Sequence, residues 1–586
     1  MRKKDLLPVI ILALLIPLWM IIDQKFIAPK FPSPAPLPAK QAAEPAPAVG
    51  NIESATLSDA AKSSGAPTEL PGATYPAAEE KISLLENEKV KLELTSLGGG
   101  IKSATLLDYP EQNETDSAPV VLDFSGAAAL AYEGLAGIGA TEALASQPSA
   151  DGKSVTFSRV WENGTGFTRT ITLGDDYLVT VNDRFANSSS NPWLLSGLRI
   201  LTGRMKNPAD METMKGMTIL GVDTFTPAGG VNYWGRKINK LYKQENKPAA
   251  LDTVPQEMRG EVVDWVSAKN KFFTQILRTE EPIATMAVLS TRDVQEKGII
   301  PTDIAAALAF KPMSIAAGSQ YDISYSYYIG PKKYDILKDA GYSMEKVMEF
   351  ETIGAFSFMN WLMEPARKFL LHTMNVFKSA IPGGYGVAII LLTLLIRILF
   401  WPLTHKSTES MKRMQEIQPE VKALQAKYGK SNPQKLQQET MKLYKEKKVN
   451  PMGGCLPMFV QIPVFFALFT VLRNAIELRF ADFLWVADLS APENLFAGQI
   501  PFVGSLNILP LLMSASMIWQ QKITPTVATT PEQQQQQKMM MFMMPIMMLF
   551  FFYTMPSGLV LYWTTSNLLM IAQTGIRNLR KKKAKA

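Results

Sequence analysis

Five apolar runs crowd the C-terminal part of this chain, at about 385–401, 456–472, 506–519, 539–553 and 558–574. A sixth, LLPVIILALLIPLWMII, opens it directly behind MRKKD. Segments of this length and apolarity constrain the fold more than any other feature, because each is close to what a helix needs to cross a bilayer. The chain averages of 47% hydrophobic and 19% charged residues conceal this segregation.

Charge is segregated as well. Residues 1–5 carry +2, residues 405–450 carry +6 from eleven Lys/Arg against five Glu, and residues 577–586 carry +6. Taken from the net charge of +7, these 14 charges leave about −7 for the rest. Basic segments beside apolar runs follow the positive-inside pattern, and an even number of spans puts all three on one side. The reading is therefore an α-helical membrane protein with six transmembrane helices and both termini cytoplasmic. A DNA-binding protein would spread its basic charge over a folded domain, and DNA is not an expected partner.

Two runs are short. Leu506–Trp519 and Met539–Tyr553 cover only about 21 to 23 Å as helices, against roughly 30 Å of hydrocarbon. Either flanking residues such as Gln520, Gln521 and Lys538 extend these helices, or the bilayer thins around them.

Residues 1–27 read as an N-terminal transmembrane anchor, since the run ends without a clear A-x-A site; a cleaved signal is the other reading. Residues 28–80, with APKFPSPAPLPAKQAAEPAPAVG, are a Pro/Ala-rich linker too poor in large apolar residues to form a core. From 81 to 340 short alternating segments such as KSVTFSRVW, FTRTITL and YLVTVNDRF are broken by ENGTG and GDD, the pattern of antiparallel sheets packed face to face. This is a large all-β domain on the side of the membrane opposite the basic segments. Residues 341–380 read at helical period as an amphipathic interfacial helix interrupted by Pro365, with a domain-covering helix as the alternative.

The stretch 405–450 is a basic helical hairpin on the cytoplasmic side. Met411, Met414, Ile417, Val421, Leu424 and Tyr428 recur at threes and fours, GKSNP turns the chain, and Leu436, Leu443 and Tyr444 continue the pattern. Pro419 is expected to kink the first arm.

Several chemistries lack the residues they need. Cys455 is the only cysteine and His372 and His405 the only histidines, none of them in the large middle region. That leaves no His/Cys metal site or histidine catalysis there. There is no G-x-x-x-x-G-K-[ST] phosphate loop. The protein reads as no enzyme, with no metal or cofactor.

Arg397 stands inside LLTLLIRILFW. Charging the middle of a lone span costs on the order of 3 kcal/mol, so such residues face a protein interior or a water-filled cavity. Snorkelling is the alternative, since Arg397 lies about 12 Å along the axis from His405. No Asp or Glu occurs within the five runs to neutralise it. Thr393, Gln461, Ser514, Ser516, Thr564, Thr565, Ser566 and Asn567 supply uncharged polar groups, the makings of a hydrated cavity. The run KMMMFMMPIMMLFFFYTM, with Met540, Met543, Met544 and Met547, reads as an adaptable apolar slide or as lipid-facing filler. Lys412 and Arg413, with Arg577, Arg580, Lys581, Lys582 and Lys583 of the tail, either contact anionic lipid or ribosomal RNA or serve only to fix orientation.

The stretches LLTLLIRILFWPLT, KVNPMGGCLPMFVQIPVFFALF, LRFADFLWVADLS and MPSGLVLYWTTSNLL follow one another in an order that resembles the YidC family of membrane protein insertases, relatives of the mitochondrial oxidase-assembly insertase. They cover nearly all of 380–576. WVSAKNKFF and YYIGPKKYDIL look like closing motifs of the periplasmic domain in the Gram-negative branch, a β-supersandwich similar to sugar mutarotases. The resemblance implies a five-helix insertase core at 381–576 with a basic cytoplasmic tail at 577–586. It also implies a substrate groove with Arg397 at its centre, lined by Thr393 and Gln461, and Tyr562, Trp563 and Ser566 of the last run are the further candidates for it. An aromatic of the last span is implicated too, but this chain has Tyr562-Trp563 where the family often has Tyr-Tyr, so Trp563 departs from the pattern. The implied partners are nascent membrane proteins, the Sec translocon, the ribosome and anionic lipids, in a bacterial inner membrane. A transporter, or a carbohydrate-binding domain on a membrane anchor, would share several of these features.

Overall fold

The computed structural model describes residues 79–135, 137–206, 220–226, 230–234, 251–253, 262–280, 285–292, 303–350, 360–428, 432–447, 449, 456–500, 504–523 and 531–585. They fall into two compact units that divide between Met348 and Glu349. The expected anchor at 1–27, and all but the last residues of the expected linker at 28–80, lie outside the described residues.

The first unit is β-rich, and its strands follow from period-two alternation. In Leu178–Asn187, Val179, Val181, Asp183, Phe185 and Asn187 are buried, while the residues between them are not. Successive side chains of a strand point to opposite faces, so one face joins the core. Nine strands form the largest sheet, in the order 230–233, 221–226, 265–269, 273–279, 319–331, 178–187, 165–173, 154–160 and 145–148. Beside it stand a six-stranded and a four-stranded sheet. Every pairing between these strands among the described residues is antiparallel. The two segments quoted as closing motifs meet at one pair, Phe273 at the end of the first with Pro331 in the second.

Asp183 interrupts an otherwise apolar inner face and is paired across the strands with Arg169. Both side chains are fully buried. Arg169 Nε donates to Asp183 Oδ1 at 2.7 Å and Nη2 to Oδ2 at 2.5 Å. Nη1 donates to the carbonyls of Gly99 and Leu130, and the guanidinium lies 4.8 Å from the Tyr132 ring centroid. Burial alone would lower the arginine pKa, but the Asp183 carboxylate outweighs it and holds the group above its ordinary value. Burial pushes the Tyr132 and Tyr325 phenols well up, and their hydroxyls meet at 2.6 Å. The result is a charge-compensated polar knot inside the β core.

The segment that leaves this unit is fastened to the sheet. Trp265 Nε1 donates to Tyr342 O at 3.0 Å, the Tyr233 hydroxyl to Lys346 O at 3.0 Å, and Lys269 Nζ to Val347 O at 2.9 Å.

The second unit is helical: α2 (Asn360–Ala380), α3 (Gly384–Glu416), α4 (Gln418–Tyr428), α5 (Pro433–Glu446), α6 (Leu456–Asn474), α7 (Ile508–Ile523), α8 (Pro531–Phe552) and α9 (Ser557–Lys585), with a short α1 (Tyr334–Asp339) ending the β unit. α2 runs on through Pro365, where an interruption was expected. The proline stands six residues into the helix and removes a single bond near its start. α2 packs on α3 and α6, burying Met363, Leu370, Leu371 and Met374. The break in the hairpin falls at Ile417, which leaves Pro419 in the first turn of α4, where a proline is tolerated. The short apolar runs are extended by polar residues: α7 continues through Gln520, Gln521 and Lys522, and α8 begins in the glutamine stretch. Among the described residues, α3 is the one helix long and apolar enough to cross a membrane by length and composition.

Candidate functional site

Thr393 and Arg397 lie one turn apart on α3 and therefore share a face. The Thr393 hydroxyl is turned back onto its own helix, donating to Ile389 O at 2.6 Å, as threonine does when no stronger partner is offered. Arg397 is turned across to α9. Its Nη2 donates to Ser566 O at 2.8 Å and to Ser566 Oγ at 2.6 Å. Both acceptors are neutral, and among the described residues no carboxylate pairs with Arg397. Nε and Nη1 keep donors with no protein partner among those residues.

On the neighbouring helix Gln461 Nε2 donates to the Tyr562 hydroxyl at 3.0 Å, tying α6 to α9. Tyr562 and Ser566 stand one turn apart on α9, so the α6–α9 tie and the α3–α9 tie share a face of one helix. Thr393, Ile396, Arg397, Phe400, Gln461, Tyr562 and Ser566 line a small recess with room for about one water molecule. Its floor and walls combine a half-bonded cation, hydroxyls and an amide with apolar side chains. It can accept water or a polar group that offers acceptors, and an anion best of all.

The structure thus brings together five of the six residues expected in the groove. Trp563 is placed elsewhere: its ring packs 5.0 Å from Phe465 and 5.4 Å from Phe552, in an aromatic cluster between α6, α8 and α9. Ile396 and Phe400 line the recess without having been singled out in the sequence. Their only signal is a spacing of three residues on one helix, Ile396 after Thr393 and Phe400 after Arg397.

Of the methionines, Met543 and Met547 are 62% and 57% exposed and stand one turn apart on α8, beside exposed Ile546 and Phe550. Met544 is exposed as well, whereas the side chain of Met540 lies outside those described. Two further polar ties join helices of this unit: Ser514 Oγ of α7 donates to Pro545 O of α8 at 3.0 Å, and Asn567 Nδ2 of α9 to Ser516 Oγ of α7 at 3.0 Å. Arg413 is exposed and pairs with Glu409 at 2.7 Å along the helix, and Lys412 and Arg577 are partly buried. Arg580, Lys581, Lys582 and Lys583 continue α9, with side chains outside those described. Among the described residues no cluster of His, Cys, Asp and Glu could hold a metal ion.

Comparison with known proteins covers both units. A family profile described as the YidC periplasmic domain matches residues 84–365, and one described as the 60Kd inner membrane protein matches residues 376–584. The membrane protein insertase YidC of Pelobacter propionicus is 32% identical over 496 residues, which is 82% of this chain and 83% of that one. The protein of the same name from Syntrophus aciditrophicus is 30% identical over 602 residues, 98% of each chain. A crystal structure of an active YidC insertase with its first transmembrane domain resolved matches at a TM-score of 0.32 and 18% identity, covering 85% of this chain and 93% of that one.

Proposed function

Because this chain belongs to the YidC family of membrane protein insertases, we propose that the recess around Arg397 is the groove through which it passes the hydrophilic segments of its clients. The family fixes the coarser statements: the protein is an inner-membrane insertion factor with a periplasmic domain, its substrates are nascent membrane proteins, and it is not an enzyme.

The observation that carries the groove reading is the neutrality of Arg397's partners. A cation bonded only to a hydroxyl and a carbonyl keeps its charge available, and its free donors border a recess lined by polar side chains. A client's hydrophilic segment entering such a recess crosses less hydrocarbon unsolvated than it would in lipid, and its transfer penalty falls accordingly. The apolar helix that follows then slides along Met543, Met544 and Met547 of α8, with Met540 continuing the same run. Leaving water stabilises it by roughly 25 cal/mol per Å² of apolar surface. An acidic tail moving to a positive exterior gains up to about 2.3 kcal/mol per charge at 100 mV. These terms supply the driving force without nucleotide hydrolysis.

The same reading gives six spans with both termini cytoplasmic, and lets the basic hairpin 405–450 and tail 577–586 meet ribosomes or anionic lipid. Some clients then arrive alone and others through the Sec translocon. Photo-crosslinkers placed at Gln461 and Thr393 test it: ribosome-bound nascent membrane proteins are the expected adducts. A folded protein that gives none at either position overturns the groove.

A further inference from the structure

The stretch FADFLWVADLS forms neither helix nor groove, yet backbone hydrogen bonds hold it closed. Phe483 and Val486 exchange backbone hydrogen bonds at 2.8 and 2.9 Å around a tight turn with Leu484 at φ +54°. Leu489 N donates to Ala481 O at 2.9 Å and closes the loop at its base.

This loop sits on the first turns of two helices. Ser557 N and Oγ both donate to Ala491 O at 2.8 Å, and Gly558 N donates to Leu489 O at 2.8 Å, so loop carbonyls satisfy free N–H groups at the start of α9. At the start of α3 the fit is tighter. A Cβ on Gly386 would lie 2.1 Å from ring carbons of Phe483, so the ring is seated directly on the glycine backbone and no other residue fits there. Ile389 of α3 approaches Gly558 of α9 beside it, and Val486 and Leu489 are fully buried.

What lies between this loop and the recess is thin. From Gly386 to Thr393 is seven residues of α3, about 10 Å, and from Gly558 to Tyr562 four residues of α9, about 6 Å. The packing in that layer is apolar: Ala388, Ile389, Leu392, Leu559, Val560 and Leu561. A groove that admits water from the hairpin end would therefore be separated from the opposite aqueous phase by about one to two helical turns.

We propose that the 480–491 loop is the permeability seal of this protein, with the Phe483 ring on Gly386 as its plug. The proposal rests on the wet-groove reading, because only a hydrated recess gives the seal something to hold back. An apolar constriction of this kind excludes ions by denying them hydration, and the fit of one ring decides whether it is dry.

The test uses the full-length protein in phosphatidylethanolamine/phosphatidylglycerol vesicles loaded with a pH-sensitive dye. Phe483→Ala should collapse an imposed proton gradient about tenfold faster than wild type, as expected for an apolar gate opened to water. Leu484→Ala, at the exposed tip of the same turn, should leave it unchanged. In parallel, Gln461→Cys in a Cys455→Ser background reports on the groove by its reaction with a membrane-impermeant maleimide. Labelling together with a Phe483→Ala leak supports the seal. Labelling without a leak overturns the seal and leaves the groove standing, and absence of both overturns groove and seal together. A leak without labelling also overturns it, since the path would not run through the recess. If Phe483→Ala does not fold, Phe483→Leu, which keeps an apolar but smaller plug, must leak to an intermediate degree, and a tight Phe483→Leu protein refutes the proposal.

Discussion

Replacing Arg397 separates a working charge from one that merely has to be accommodated. In the structure Nη2 is taken up by Ser566, while Nε and Nη1 remain for a visitor. A hydrogen bond to a charged group contributes about 1.5 to 3 kcal/mol net, so a client carboxylate on that free edge should lose this much when the arginine is removed. Converted to rates, Arg397→Ala should slow insertion of a client with one acidic translocated tail by about 10- to 150-fold. The same client with its acid changed to the neutral amide should be nearly unaffected. Arg397→Lys keeps the charge and three donors, enough to meet Ser566 and a carboxylate, and should recover most of the rate. Arg397→Gln keeps donors without charge and should behave as Ala does. The assay is protease protection of radiolabelled clients inserted into vesicles containing each variant, run pairwise with acidic and neutral tails. Equal losses on both tails would mean that the arginine only supports the fold, and no loss on either would mean that it has no part in insertion.

Three further outcomes are expected. Asp183→Ala leaves the Arg169 guanidinium buried without its counter-ion and should destabilise the β unit by about 3 to 5 kcal/mol, read by urea unfolding of the full chain; replacing both by Met and Leu should recover most of the loss. Met543→Leu with Met547→Leu separates an adaptable slide from lipid filler: apolarity is kept, so filler predicts unchanged insertion of every client, while a slide predicts a narrower set. Asp264 has its pKa raised by half-burial, with Arg278 at 3.2 Å only partly offsetting this. A carboxyl whose folded pKa lies above its unfolded one adds stability at low pH that is lost as pH rises through the folded pKa. The difference in urea midpoint between Asp264→Asn and wild type should therefore shift towards the variant over that rise, and a pH-independent difference would refute the assignment.

How much of this was legible in the chain depended on whether the deciding interaction was local. The alternation of Val179, Val181 and Phe185 announces a strand, and the edge of each apolar run announces a helix. Where α8 starts was not legible from apolarity, because glutamines are good helix formers and carry the helix back to Pro531. Asp183 reads as a flaw in a strand until the register sets it opposite Arg169, and register is a product of the whole sheet. Gln461 and Ser566 were visible as polar residues in apolar runs, and Tyr562 through the family resemblance, but which of them would hold the arginine depends on the rotation of α9 against α3. The same rotation turns Trp563 toward Phe465 and Phe552, a choice that its neighbour in sequence does not reveal. Gly386 and Phe483 are 97 residues apart, and nothing local to either announces the contact.

Among the described residues, two inward-facing arginines, Arg169 and Arg397, differ in a way that argues for what each does. Arg169 is sealed in a β core with a bidentate carboxylate, two carbonyls and an aromatic face, so that its charge is cancelled within a few ångströms. Such a pair adds little net stability over an apolar replacement, but leaves no field outside itself. Arg397 has the opposite arrangement. Ser566 fixes the position of its guanidinium with two neutral acceptors, which orient the charge without cancelling it. A carboxylate in place of Ser566 would make the helical unit cheaper to assemble and would also remove the attraction that an acidic client feels. Ser566→Asp is therefore expected to give a folded protein that inserts neutral-tailed clients and fails on acidic ones.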